Sequence, residues 1–208
     1  GHAIAMPYDT AAQALAGENS PYKRSLNGLW KFQYARNPHL TIPGFESPDV
    51  DVTGWDDIVV PGHIQLQGYD RPQYANTQYP WDGREDVAIG DAPQLFNPVG
   101  SYVTFFTPET PVADGERLSV SFKGAESAIA VWLNGTYIGF ACDTFTPSEF
   151  DLTDALVDGE NRLAAQVFKW SAASWLEDQD FYRFSGLFRD VVLHRRPRAH
   201  VEDVDIRV

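Results

Sequence analysis

At 208 residues the chain suits one all-β domain and is too short for two large ones; folding at this size buries about 70% of the unfolded surface, so no metal or disulfide staple is needed. With 43% hydrophobic and 22% charged residues, the composition is that of a globular protein, not a disordered one. Lys and Arg total 16 against 29 Asp and Glu, a net charge of −13 with a pI near 4.6, which argues against nucleic acid and anionic membranes as partners because both need clustered cations.

Residues 1–24 are small and polar, without a sustained period, and read as an N-terminal arm in which 9–16 make at most a short turn of helix. Nothing at the start resembles a secretory leader, and the missing initial Met suggests a cloning scar or a piece cut from something longer. Strand signals then recur. Leu26–Gln33 places Leu29, Trp30 and Phe32 in an extended pattern, and Ile58–Val60 is a β-branched run stopped by Pro61. Ser101–Thr107 is aromatic and β-branched, while Leu118–Phe122 alternates strictly, with Leu118, Val120 and Phe122 on one face. Ile129–Leu133 and Tyr137–Phe140 flank Asn134-Gly135, the strongest two-residue hairpin signal, because both central positions need positive φ. Leu163–Phe168 and Leu187–Leu193 follow, with Asp114-Gly115 and Asp158-Gly159 as turns and 152–157 as a second short helical turn. The longest apolar run, Ala128–Leu133, is far below the ~20 residues a membrane-spanning helix needs. Many short strands divided by turn residues predict an all-β fold, a jelly-roll β-sandwich.

From His63 to Asn97 the chain is polar and rich in Pro, Gly, Tyr and Asp, with no strand pattern. Structureless loops beyond about 12–15 residues tend to be functional, and the tyrosines and Trp81 imply that this one packs against something. Arg195-Arg-Pro-Arg198 reads as a linker, after which Val201–Val208 alternates like the opening of a further strand. The lone Cys142, in the apolar stretch Tyr137–Cys142, reads as a buried inert thiol; a single cysteine forms no intrachain disulfide, which suits a reducing cytoplasm.

The densest chemistry lies at Trp175–Asp190, where Glu177, Asp178 and Asp180 are interleaved with rings and followed by Arg183 and Arg189. Carboxylates accept sugar hydroxyls while rings stack on pyranose faces, and the same oxygens suit a hard cation, although the spaced calcium-loop pattern is missing. Glu177 and Asp180 could serve as a glycosidase acid and base only at a separation of about 5–5.5 or 6.5–9.5 Å across a cleft. The plainer alternative is structural: Arg183 and Arg189 pairing with Asp178 and Asp190 to hold a loop to the sheet. No Gly-x-Ser-x-Gly or zinc motif occurs, and the histidines read as ordinary.

Five segments in register carry a resemblance: Ser25–Phe32, Val60–Pro80, Asn97–Tyr102, Pro147–Leu152 and Leu176–Val191. Together they resemble the N-terminal sugar-binding domain of the large bacterial β-galactosidases of glycoside hydrolase family two. The Glu177-Asp-Gln-Asp180 run and the loop Tyr74-Ala-Asn-Thr-Gln-Tyr-Pro80 point to the galactosidase branch rather than to β-glucuronidases or β-mannosidases. The resemblance implies a galactose-binding-domain-like sandwich over 25–196 after an arm at 1–24. Residues 197–208 would then be a linker and the start of an immunoglobulin-like domain, with a TIM barrel further on carrying both catalytic glutamates. It implies no catalytic residue here. Asn76 and Asp180 would contact the galactoside, and Asp180 would also ligate a shared Na⁺; Mg²⁺ would belong to the parent enzyme and not to this part.

The resemblance further implies retaining hydrolysis of β-D-galactosides such as lactose by a cytoplasmic, homo-oligomeric parent. This domain alone would bind sugar weakly, its partners being galactosides and the remaining domains. Two alternatives stand beside it: a self-sufficient lectin-like module, which needs a flat exposed aromatic face, and a domain that mainly builds the parent, leaving the rings of 63–97 exposed. The pattern departs from the family at Cys142–Thr146, where a basic residue is common, and at Trp81–Asp86, which is unusually acidic.

Overall fold

The computed structural model describes residues 5–178, 180–201 and 203–207. In chain order the strands are β1 (Lys23–Ser25), β2 (Gly28–Ala35), β3 (Asp56–Val60), β4 (Gln73–Ala75), β5 (Val99–Phe106), β6 (Arg117–Phe122) and β7 (Ala125–Glu126). They continue as β8 (Ala128–Leu133), β9 (Thr136–Ala141), β10 (Ser148–Asp151), β11 (Asn161–Phe168), β12 (Phe181–Arg183), β13 (Gly186–Leu187) and β14 (Val191–Arg196). Two short helices, α1 (Ala11–Ala16) and α2 (Ser174–Glu177), complete the set with three 3₁₀ turns.

The strands form two antiparallel sheets, ordered β1-β14-β6-β10 and β3-β2-β5-β11-β8-β9, plus two small ladders, β12-β4 and β13-β7. This is the expected all-β sandwich. Leu118, Val120 and Phe122 of β6 are all buried and meet Trp30, Phe32 and Tyr102 of the larger sheet in one core. The Phe32 ring lies 4.9 Å from Tyr102 and 4.7 Å from Tyr69, both edge-on, the geometry aromatic quadrupoles prefer. The buried Trp30 indole is satisfied by donating to the Leu26 carbonyl at 2.8 Å. Asn134 and Gly135 turn β8 into β9 with φ of 51° and 81°, as the hairpin signal requires. Among the described residues no helix is long and apolar enough to cross a membrane.

Several expectations are corrected here. The first strand begins at Lys23, inside the expected arm, pairing with His194; the short helical turn allowed at 9–16 is α1, held by a Thr10–Gln13 capping box although none of it is buried. Cys142 is exposed: β9 is an edge strand of the large sheet, and the thiol follows its last residue. Arg195 and Arg196 are not linker but the end of β14; Arg195 is bound to Glu116 and to the Pro111 carbonyl at 2.7 Å. The described residues of 201–207 lie in no strand, since alternation alone makes none without a pairing neighbour.

The loop 63–97 also holds structure that its composition hides, a 3₁₀ turn at Ile64–Gln67 and β4. It does pack, and it packs on this same domain. Trp81 is buried, its ring 5.1 Å from both Tyr79 and Trp175 and edge-on to Trp170 at 6.2 Å. The Tyr79 hydroxyl donates to the Trp175 carbonyl at 2.7 Å, and the Trp175 indole to the Asp91 carbonyl at 2.8 Å. Asn97 and Trp170 exchange two bonds in the manner of a strand pair: the Asn97 amide donates at 2.9 Å and the Trp170 N–H at 3.0 Å. The idea that these rings wait exposed for another domain therefore fails for Tyr79 and Trp81.

Candidate functional site

β4 and β12 pair antiparallel, Tyr74 opposite Tyr182 and Ala75 opposite Phe181. Asn76 directly follows β4 and Asp180 directly precedes β12, so both adjoin the same end of the ladder. Both are exposed. The two residues named from opposite ends of the chain are thus made neighbours by a three-residue strand pair. Asp180 adopts φ of 51°, the left-handed region that Asp and Asn tolerate better than most residues, and this turn carries the chain from α2 into β12.

Tyr74, two residues before Asn76 and so on the same strand face, donates its hydroxyl to Asp180 Oδ1 at 2.8 Å, bridging 106 positions of sequence. That bond, more than burial, raises the tyrosine's pKa. Sequence reasoning missed Tyr74, although its parity with Asn76 was a usable signal. Tyr74 and Tyr182 form a cross-strand pair, 53% and 61% exposed, with centroids 4.9 Å apart and planes tilted by 32°. They form a ridge rather than the flat platform a lectin-like module would need.

The other carboxylates of the cluster do different work. Glu177 accepts the Thr144 N–H at 3.2 Å and its hydroxyl at 2.6 Å, so hydrogen bonds stand where the family often has a basic residue. Asp178 is buried, and burial raises its pKa against the opposing influence of Ser174 and Arg183. Arg183, itself buried, donates to the Asp178 carbonyl and to that of Phe181. Arg189 behaves otherwise than the structural reading had it: it donates to the Phe145 carbonyl at 2.8 Å and lies over the Phe188 ring, while Asp190 accepts from Asn27. With Glu177 and Asp180 each held by a neutral hydroxyl, the cluster is built for hydrogen bonding rather than as an opposed acid and base.

As a cation site the arrangement is sparse. No group of three or more His, Cys, Asp or Glu gathers to hold a metal among the described residues. Asp180 offers one exposed carboxylate with Oδ1 already taken by Tyr74, which fits a share in a monovalent site and not a dedicated divalent one.

Comparison with known proteins shows the family of the chain. The profile of "Glycosyl hydrolases family 2, sugar binding domain" matches residues 23–197. A β-galactosidase of Priestia megaterium is 48% identical over 208 residues, covering 99% of this chain and 20% of its own length. One from Clostridium acetobutylicum is 51% identical over 190 residues, covering 91% of this chain and 21% of its own length. The chain therefore spans about a fifth of the length of these relatives. In fold it is similar to the structure of Bifidobacterium dentium β-glucuronidase complexed with coumarin-3-O-glucuronide, at a TM-score of 0.60 and 20% identity, over 86% of this chain and 31% of that one.

Proposed function

Because the chain belongs to the sugar-binding domain family of glycosyl hydrolases family 2, we propose that it forms the galactoside-facing rim of a retaining β-galactosidase. The observation that carries this reading is the β4–β12 pairing, which brings Asn76 and Asp180 to the same end of a short ladder, both exposed. The Asn76 amide offers donor and acceptor together, suited to neutral hydroxyls; the Asp180 carboxylate accepts hydroxyl hydrogens strongly. Tyr74 fixes the rotation of that carboxylate. The Asp180 carboxylate would hold part of a Na⁺ site, whose ion would supply positive charge for a galactosyl hydroxyl. Hydrolysis belongs to two glutamates on a barrel of the longer enzyme, where Mg²⁺ would also act. The working enzyme is then a cytoplasmic homo-oligomer.

Two measurements test it. Purified as it stands, the chain should turn over no chromogenic β-galactoside and should bind galactose only in the millimolar range or undetectably. Half a site loses several hydrogen bonds of about 0.5–1.5 kcal/mol each, enough for a thousandfold loss in affinity. Turnover, or a micromolar dissociation constant by calorimetry, would overturn the reading. In the longer enzyme Asp180→Asn, which keeps a residue suited to the left-handed backbone, should lower kcat/KM and blunt the Na⁺ dependence with the melting temperature nearly unchanged. The buried Asp178, replaced by Ala, should lower stability first.

A further inference from the structure

Beneath β12 lies a layer of buried charge that sugar contact does not use. The ammonium of Lys169, whose side chain is fully buried, is bound to Asp70 and also donates to the Arg71 carbonyl at 3.2 Å. Asp70 accepts a second bond, from Gln65 at 3.0 Å, and Gln65 in turn accepts the Ser185 N–H at 2.9 Å. Arg183 lies beside Asp178. Glu126 of β7 closes the layer from below at 5% exposure. Its Oε1 accepts the Phe184 N–H at 3.3 Å, the residue directly after β12, and its Oε2 lies 3.8 Å from His63 Nδ1. The His63 ring is held between Phe184 at 4.6 Å and Phe188, parallel, at 5.1 Å.

The charges do not balance. Three carboxylates, Asp70, Asp178 and Glu126, share two cations, Lys169 and Arg183, and each cation sits against one of the other two acids. Glu177, the remaining acid whose charge reaches Glu126, is bound by Thr144. Among the described residues the basic group nearest Glu126 is His63, whose Nδ1 has no hydrogen-bond partner there and lies beyond bonding reach. A carboxylate left alone in a low-dielectric interior is neutralised by taking a proton.

We propose that Glu126 is a proton-bearing positioning residue: its neutral carboxyl, facing a neutral His63, fixes the chain just past β12, and its ionisation loosens the segment that presents Asp180. The electrostatics agree with the geometry. Burial first, then Asp178, pushes Glu126 up to about 8, with Lys169 and the Phe184 N–H pulling the other way, and burial pushes His63 down. The native state therefore keeps a proton that the unfolded chain, with Glu near 4.5, has released. That contribution to stability is whole below about pH 4.5, declines as pH rises to about 8, and is flat above.

The test uses the chain without sugar, so its outcome is independent of the galactoside reading. Infrared spectroscopy of the protein at pH about 6 should show a protonated-carboxyl C=O band that titrates away near pH 8. The band should vanish in Glu126→Gln, whose amide keeps the acceptor for Phe184, and persist in Asp178→Asn. The melting temperature of Glu126→Gln minus that of the parent should widen in favour of the variant from about pH 5 to about pH 8. A band that survives Glu126→Gln, no such band at pH about 6, or a melting difference independent of pH would each overturn the proposal. Should the variant fail to fold, the wild-type band and its persistence in Asp178→Asn decide alone.

Discussion

The sandwich interior and the layer between loop 63–97 and residues 169–185 are both buried, yet they are held together by different means. In the interior, Trp30, Phe32, Tyr102 and Phe122 from facing sheets fill space and owe little to direction; the single indole N–H of Trp30 is met by a nearby carbonyl. In the layer, Trp170 meets the ammonium of the Lys169–Asp70 ion pair and packs on Trp81, which in turn meets Tyr79 and Trp175, while Gln65 and Ser185 are joined by hydrogen bonds. Apolar packing makes a sandwich stable but tolerates small shifts of the strands. Hydrogen bonds between buried polar groups are costly to misplace, so they define where β12 and its exposed end must sit. The region that presents Asn76 and Asp180 is thus specified by polar geometry, and the region that supports it by volume.

Three substitutions probe the contrast. Phe32→Ala, at a fully buried ring, should cost about 3–5 kcal/mol in urea unfolding, as a cavity at the centre of an aromatic cluster does. A loss near 1 kcal/mol would mean that the interior is not where stability resides. Lys169→Met should cost about 3 kcal/mol, because it strands the Asp70 carboxylate in the interior. Adding Asp70→Asn should recover much of that loss, whereas volume-driven packing would show no such recovery. The smallest expected effect on stability belongs to Tyr74→Phe, within about 0.5 kcal/mol since the ring is half exposed. In the longer enzyme the same change should weaken Na⁺ and galactoside affinity several-fold while sparing the melting temperature. Unchanged affinity would remove Tyr74 from the site.

Much of the sandwich was legible because period-two patterning and turn chemistry are local. Leu118-Ser-Val-Ser-Phe122 announced β6, and Asn134-Gly135 announced the β8–β9 hairpin. Cys142 was misread for the same reason: an apolar stretch does not say whether its strand lies at an edge. β4 escaped notice because three residues between Pro72 and the bend that starts at Asn76 carry no period, and its existence depends on pairing with β12 more than 100 positions away. Lys169 had left a trace, a cation wedged between Phe168 and Trp170, but only the fold supplies Asp70.

Composition, alternation and turn residues, then, settled the class of fold, the order of its main strands and, through resemblance, the names of Asn76 and Asp180. These are properties of neighbouring residues, and the chain displays them before it folds. Tertiary structure alone decided that Tyr74 grips Asp180, that Tyr79 and Trp81 pack together with Trp175, and that Glu126, among the described residues, lies nearest to His63 rather than to a Lys or Arg. Desolvation and hydrogen bonding act across space, and their partners are chosen only when distant segments meet.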